Sequence, residues 1–321
     1  MPPYQGIWIG QAVNRILQQE RGRAMSQVNP GKARRRKKTR NISILVIVVL
    51  VIALAGFFTV RSLNAKSDQG SATSASSSGV TADAALANDP AVKKLNGTIS
   101  FGTEGTYSPF SYHDKNTKKL VGYDIEVAQA VADKLGVKSK FVETQFDGIF
   151  AGLESNHYDG IANQVESTPE RQQKYELSDP YTVSYPVVIT RSDNTSVTSI
   201  DDISGRTAAQ TEGSNWNHIA TEHGAKIQTV PGFSESMNAI EQKRVELTVN
   251  DKLAAKDYFK TTGNKNVKIA ATDTSTKLEM SFAFNKGSGL SKPVNKALSE
   301  LSKDGTLAKI GTKYFGEDVS K

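Results

Sequence analysis

Cysteine is absent from the 321 residues. That absence excludes disulfides, thiol nucleophiles and thiolate metal sites, and it also excludes tethering through a lipid-modified cysteine. Histidine is nearly as scarce, with only His113, His157, His218 and His223. None stands in a catalytic motif. His218 and His223 miss the i, i+4 spacing of a helical zinc pair, no HExxH or string of acidic ligands surrounds them, and they read as solvated residues. Phosphate-cradling loops are missing as well. Gly102-Thr103-Glu104-Gly105 lacks both a third glycine and a following Lys-Ser/Thr, so it reads as a strand-to-loop turn. Asp201-Asp202, followed by Ser204-Gly205, fits a turn better than a glycosidase pair. The sequence therefore gives no positive sign of enzymatic chemistry, of a cofactor or of a metal site.

A folded basic patch is lacking too, although the net charge is +7. Up to Ala65 there are eleven Lys and Arg against one acid, which leaves 29 basic and 32 acidic residues in the rest of the chain. Nucleic-acid grooves need cations clustered on the folded surface, because phosphate neutralisation supplies most of the affinity. No such stretch comes after Ala65, so a nucleic-acid partner is not expected. The basic segment Lys32-Ala33-Arg34-Arg35-Arg36-Lys37-Lys38-Thr39-Arg40 instead abuts an uncharged apolar run from Ile42 to Val60. That run is close to the ~20 residues a helix needs to span a bilayer. The one-sided cationic flank predicts a cytoplasmic N-terminus (1–41), a transmembrane helix (42–60) and everything after it outside the cell membrane. A cleaved secretory signal ending near Ser62-Leu63-Asn64-Ala65 is the alternative.

Downstream of the apolar run, large apolar residues become few. From Lys66 to Asn88 the chain is rich in Ser, Ala, Gly and Thr, so residues 61–92 read as a flexible linker that cannot offset its ordering entropy. Beyond Leu95 short apolar strand candidates alternate with helical patterns, as in an α/β protein with largely parallel sheets. Thr98–Thr103 reads as a strand, and Gly122–Leu135 places Ile125, Ala128, Val131, Ala132 and Leu135 at helical spacing before Gly136. A second strand-helix series begins near Ile200, and Leu290, Val294, Leu298 and Leu301 line one face of a late helix. Two modest α/β lobes with a ligand in the cleft between them is the economical arrangement.

Charged recognition is where the sequence is positive. In Thr168-Pro169-Glu170-Arg171 the first three residues suit an N-cap and a first helical turn. Arg171 does not, because a cation there opposes the macrodipole, and a bound anion would repair the conflict. Gly213-Ser214-Asn215 opens another helix and offers backbone N–H groups to the same anion, or is an ordinary strand-helix turn. Asp251 is either an N-cap or a partner for an ammonium group.

With these elements in place, the chain from about Leu95 to Val319 resembles the family 3 solute-binding proteins, the amino-acid receptors of ABC importers. Six ordered blocks carry the resemblance. They are Gly102 through Phe110; Gly122-Tyr123-Asp124-Ile125; Phe146-Asp147; Thr168-Pro169-Glu170-Arg171; Ser178-Asp179-Pro180-Tyr181; and Asp304-Gly305-Thr306-Leu307 with Lys313-Tyr314-Phe315-Gly316. The resemblance implies a two-lobed, periplasmic-binding-protein-like (type II) flytrap that closes on its ligand. Lobe 1 would comprise 93–188 and 282–321, and lobe 2 would comprise 189–281. It implies an amino acid as ligand, with a membrane permease and its ATPase as partners. Arg171, helped by amides at Gln164, Ser214 and Asn215, would hold the ligand carboxylate. Asp251 would take the ammonium, and Tyr107, Phe146, Glu104 and Asn163 would face the ligand side chain. Asn163-Gln164-Val165 looks like the cystine-binding branch, from which Glu166 departs by replacing a Ser or Thr near the ammonium. Glu166 would be a second grip on that group or on a cationic ligand, or would point to solvent, or would be the general acid of an enzyme built on the same fold, in the manner of a dehydratase. A surface sensor or adhesin is the third reading.

Overall fold

The computed structural model describes residues 80–320. The expected membrane span at 42–60 lies outside the described residues, among which no helix is long and apolar enough to cross a membrane. The linker expected over 61–92 overlaps two described helices at its end. Asp83 caps helix α1 (Ala84–Ala87) and Asp89 caps α2 (Pro90–Lys94), which bury Leu86 and Val92. Those two side chains join the core of the first lobe, and this is why order begins before the strand at Thr98.

In that lobe, strand β1 (Thr98–Thr103) sends Ile99 and Phe101 fully inside. A small three-stranded sheet comes next, formed by β2 (Thr106–Tyr107), β3 (Ser111–His113) and β4 (Leu120–Val121). Helix α3 (Tyr123–Lys134) then buries Tyr123, Asp124, Ile125, Val127 and Val131. Gly122, at φ 140°, enters this helix so close to Phe110 that a Cβ would fall on the Phe110 carbonyl oxygen. At the other end Gly136 leaves it at φ 70°, the left-handed exit expected from the sequence. Strand β5 (Lys138–Glu143), helix α4 (Phe146–Glu154), β6 (Gly160–Glu166), α5 (Pro169–Lys174), β7 (Tyr175–Leu177) and β8 (Thr182–Ser184) complete this part.

From β9 (Pro186–Arg191) the chain belongs to a second sheet, so it changes lobes at Tyr185, a little before the boundary at 188 drawn from the sequence. The second lobe contains β10 (Thr207–Gln210), α6 (Asn215–Glu222), β11 (Lys226–Thr229), α7 (Phe233–Glu241), β12 (Leu247–Asp251), α8 (Lys252–Thr262) and β13 (Val267–Thr272). The return lies between Thr272 and Leu278, where β14 (Leu278–Asn285) joins the first sheet, again earlier than the residue 281/282 boundary. Helices α9 (Ser291–Lys303) and α10 (Thr306–Phe315) then pack against α3.

Each of the two large sheets is mixed, where the sequence suggested largely parallel ones. The orders are β5-β1-β6-β14-β7 and β11-β10-β12-β9-β13. Three strands in each run parallel, as strand-helix units require, whereas β9 and β14 run antiparallel to their neighbours. Those two strands enter from the opposite lobe, and an entry from outside the sheet is not bound to the direction of a strand-helix crossover.

An aromatic chain links the first core to the cleft. Tyr181 stacks on Phe282 at 4.4 Å, Tyr123 meets Phe315 at 5.2 Å, Phe110 meets Phe315 at 5.7 Å, and Tyr107 meets Phe110 at 5.1 Å. Much of what the sequence blocks preserve is therefore packing behind the cleft wall.

Candidate functional site

Where β1 and β6 end side by side, their last residues face the second lobe. Asn163 accepts the Glu104 N–H on Oδ1 (2.8 Å) and donates Nδ2 to Glu104 Oε2 (2.7 Å), which fixes the Glu104 side chain at the strand end. Burial, reinforced by the nearby acids Glu235 and Asp147, pushes the Glu104 carboxyl up to about 7 even though Asn163 opposes the shift. Beside it Gln164 has φ 48°, a left-handed value uncommon for a residue with a Cβ.

Across the cleft, β10 leads through Gly213 into α6. Ser214 caps the helix, accepting the Asn217 N–H at 3.1 Å, and its carbonyl accepts the His218 N–H. The Ser214 hydroxyl and N–H are both turned to Thr211 O, so what remains at the helix start are the amides of Asn215 and Trp216. The lobes touch directly. Tyr107 donates its hydroxyl to Asn250 Oδ1 (2.9 Å), Ser108 donates to Asp257 Oδ2 (2.8 Å), and Arg171 Nη2 donates to Gly213 O (3.2 Å).

Between them lies a small cavity. The first lobe contributes Glu104, Tyr107, Phe146, Asn163 and Gln164, all expected from the sequence. The second contributes Ser214 and Asn215, also expected, together with Thr211, Trp216, Phe233 and Asn250. These four were missed. Asn250 adjoins Asp251 at a strand end, and Trp216 and Phe233 sit at helix starts after strands, so a rule scanning every strand-to-helix junction would have found three of the four.

Three expected residues stand outside the cavity wall. Arg171 lines an adjoining groove that shares Ser214 and Asn215, with Phe150, Tyr175 and His218 on its other side. Its guanidinium lies 5.2 Å from the Phe150 ring centre and donates Nη1 to Glu166 O. The conflict with a helix dipole does not arise, because α5 has only six residues and Arg171 belongs as much to its last turn as to its first. Glu166 ends β6 half-buried. Burial raises its carboxyl, while Arg171 and Asn215 counter the shift. Asp251 is fully buried and is the N-cap of α8, accepting from Leu253 N (2.6 Å) and Ala254 N (3.1 Å) with Oδ1. Its Oδ2 makes no hydrogen bond, and burial pushes this carboxyl up to about 6. The N-cap reading is what the structure shows, with one oxygen still uncommitted.

Gln164 also differs from expectation. Its N–H donates to Asp124 Oδ2 (3.0 Å), and Nε2 donates to Asp124 Oδ1 (2.6 Å) and Thr182 Oγ1 (3.1 Å). Those donors are committed, so Gln164 has none to offer a carboxylate. The cavity thus combines amide donors at the α6 start with the Glu104 carboxyl of the first lobe, beside the Tyr107 and Phe146 rings. No histidine and no activated nucleophile lines it. Such a wall suits a small dipolar molecule.

The sequence model of the bacterial extracellular solute-binding proteins, family 3, matches residues 99–317. Among curated proteins, the L-cystine-binding protein TcyA of Bacillus subtilis (strain 168) is 52% identical over 229 residues, 71% of this chain and 85% of that protein. The L-cystine solute receptor of Neisseria gonorrhoeae, solved in an unliganded open conformation, is 43% identical with a TM-score of 0.51, covering 73% of this chain and all of that one. An ancestral arginine-binding protein bound to arginine is 37% identical with a TM-score of 0.64, covering 68% of this chain and 99% of that one.

Proposed function

The chain belongs to the bacterial extracellular solute-binding proteins of family 3, and on that premise we propose that it binds a polar amino acid between its lobes and delivers it to an ABC permease. Cystine is the first candidate, since relatives at 52% and 43% identity are named for it. The observation that carries the reading is the interlobe cavity itself. Donors at the α6 start and the Glu104 carboxyl line one small space, as a zwitterion requires. Arg171 supplies the nearest positive charge for a ligand carboxylate. Its place in the adjoining groove fits a side chain that swings inward past the shared Ser214-Asn215 wall. Asp251, through Oδ2, stands one residue from the cavity-lining Asn250 as an acceptor for the ammonium.

Mechanism rests on closure. A ligand that contacts both walls favours the closed form by its differential affinity, and the permease reads that form. An enzymatic reading needs a general acid over the ligand. The candidate read from the sequence, Glu166, is not part of the cavity wall, and the relatives are named as binding proteins.

The tether is part of the same proposal. The uncharged run Ile42–Val60, its basic cytoplasmic flank and the lack of cysteine favour a single-pass helix that displays the lobes outside the cell. Secretion after signal cleavage is the other outcome, and intact mass of the protein from washed membranes separates the two. The ligand is tested by a thermal-shift screen of the full chain against the twenty amino acids and cystine. A raised midpoint with cystine supports the reading, and no shift with any amino acid refutes it.

A further inference from the structure

Arg171 is a half-buried cation whose close contacts are all with neutral groups. Its Nη1 donates to Glu166 O and its Nη2 to Gly213 O, each at 3.2 Å, so one carbonyl from each lobe holds an edge of the guanidinium. Among the described residues no carboxylate comes within salt-bridge distance of it, and Glu170, its neighbour in the chain, pairs with Lys174 (3.2 Å). What covers the flat face is Phe150, with Arg171 Cζ over the ring at 5.2 Å from its centre. Phe150 follows Phe146 by one turn of α4, so the two rings lie on one side of that helix and meet edge to face at 6.0 Å. Phe150 also packs on Tyr175 at 5.0 Å, and the Tyr175 hydroxyl donates to Glu154 Oε1 (2.6 Å), the last residue of α4. The Phe150 ring is thus fixed between a ring of the cavity wall and a ring anchored to its own helix, and it lines the groove in which Arg171 lies.

We propose that Phe150 is the positioning residue of Arg171: its ring face seats the guanidinium clear of the protein's own carboxylates and leaves edge N–H groups for the carboxylate of the ligand. This inference rests on the amino-acid reading above and adds a residue that lies outside the cavity wall. A cation over an aromatic face is attracted by the ring quadrupole within about 6 Å of the ring centre. The guanidinium can therefore turn toward the shared Ser214-Asn215 wall and keep the ring beneath it. An aliphatic side chain of similar size would desolvate the cation and offer no attraction in return. The guanidinium would then settle on the Glu166 carboxyl, whose charge already acts on it, and its donors would be closed to a ligand. Arginine rather than lysine fits this seat, because a planar guanidinium stacks by its face while it hydrogen-bonds by its edges.

The test compares ligands with and without the α-carboxylate charge. L-Arginine is paired with L-argininamide, and L-cystine with its dimethyl ester, by calorimetry on the full chain. Wild type is expected to prefer each amino acid over its amide or ester. Phe150→Leu is expected to reduce that preference about 3- to 30-fold, the worth of a cation–π contact, with the amide and the ester little affected. Phe150→Tyr, which keeps the ring face, should restore the preference. Phe150→Met, which fills the space without a ring, should behave as Phe150→Leu and keeps the proposal testable if that variant folds poorly. In an Arg171→Ala background Phe150→Leu should change the preference no further. A preference unchanged in folded Phe150→Leu or Phe150→Met, because amino acid and amide weaken equally or not at all, overturns the inference while leaving the amino-acid reading intact. Wild type that binds neither amino acid overturns both.

Discussion

Replacing Asp257 by alanine is expected to weaken every ligand by one common factor. Asp257 on α8 accepts from Ser108 of the other lobe at 2.8 Å, and neither residue lines the cavity. The bond joins the lobes, so lobe separation breaks it, and it contributes to the closed form whatever the ligand. The neighbouring Lys256–Glu317 pair, at 3.5 Å with both side chains more than half exposed, adds little. A partly buried hydroxyl-to-carboxylate bond is worth about 1 kcal/mol, which reduces the fraction of closed form and raises the apparent Kd about five-fold. Calorimetry with two ligands of different side chain, in wild type, Asp257→Ala, Ser108→Ala and the double variant, reads this directly. The two single variants should agree with each other and with the double, for both ligands. A loss confined to one ligand would mean that Asp257 touches ligand, and a change below two-fold in every variant would refute the latch.

Arg171→Ala should cost at least about 2 kcal/mol of amino-acid affinity by calorimetry, and Arg171→Lys should recover little of it, since an ammonium lacks the planar fork that matches a carboxylate. The pH dependence of the ligand-free protein should run against habit. Glu104 and Asp124 are pushed up to about 7 and Asp251 to about 6, chiefly by burial, from ordinary values of 4.5 and 3.8. Folded protein therefore holds more protons than unfolded protein between those limits, and stability is lost as pH rises from about 4 to about 7. Thermal scans should give a higher Tm at pH 5 than at pH 8, with a smaller difference in Glu104→Gln, and an equal or lower Tm at pH 5 would contradict the assigned burial. Gly122→Ala, placing a Cβ against the Phe110 carbonyl at a φ of 140°, should destabilise by about 3 kcal/mol in urea unfolding. A loss under 1 kcal/mol would show that the entry to α3 can relax.

The lobe pattern and the cavity-facing strand ends were legible in the sequence because they obey local rules. Strand β1 alternates, α3 carries a buried stripe closed by Gly136, and Thr168-Pro169 opens a helix. Seven of the expected site residues meet at one cavity for the same reason, as they sit where strands stop and helices start. Less legible were the direction of β9 and β14, the order before Thr98 and the second-lobe residues Thr211, Trp216, Phe233 and Asn250. Leu86 and Val92 are too few to mark a folded segment until the first core receives them.

By itself the sequence determined where charge and apolar surface must go. The basic flank adjoins the 42–60 run, the rest of the chain is mildly acidic, thiols are absent, and no histidine stands in a catalytic motif. The tertiary structure alone decided which polar atoms remain uncommitted. Arg171, Gln164, Ser214 and Asp251 each carry several hydrogen-bonding groups, and a sequence shows the inventory but not its allocation. Asp124, distant from Gln164 along the chain, consumes the donors of that glutamine. The α6 cap consumes the Ser214 hydroxyl, and α8 takes one Asp251 oxygen. A group satisfied by its own fold is closed to a ligand, so the polarity of the cavity wall is fixed only once those long-range partners are in place.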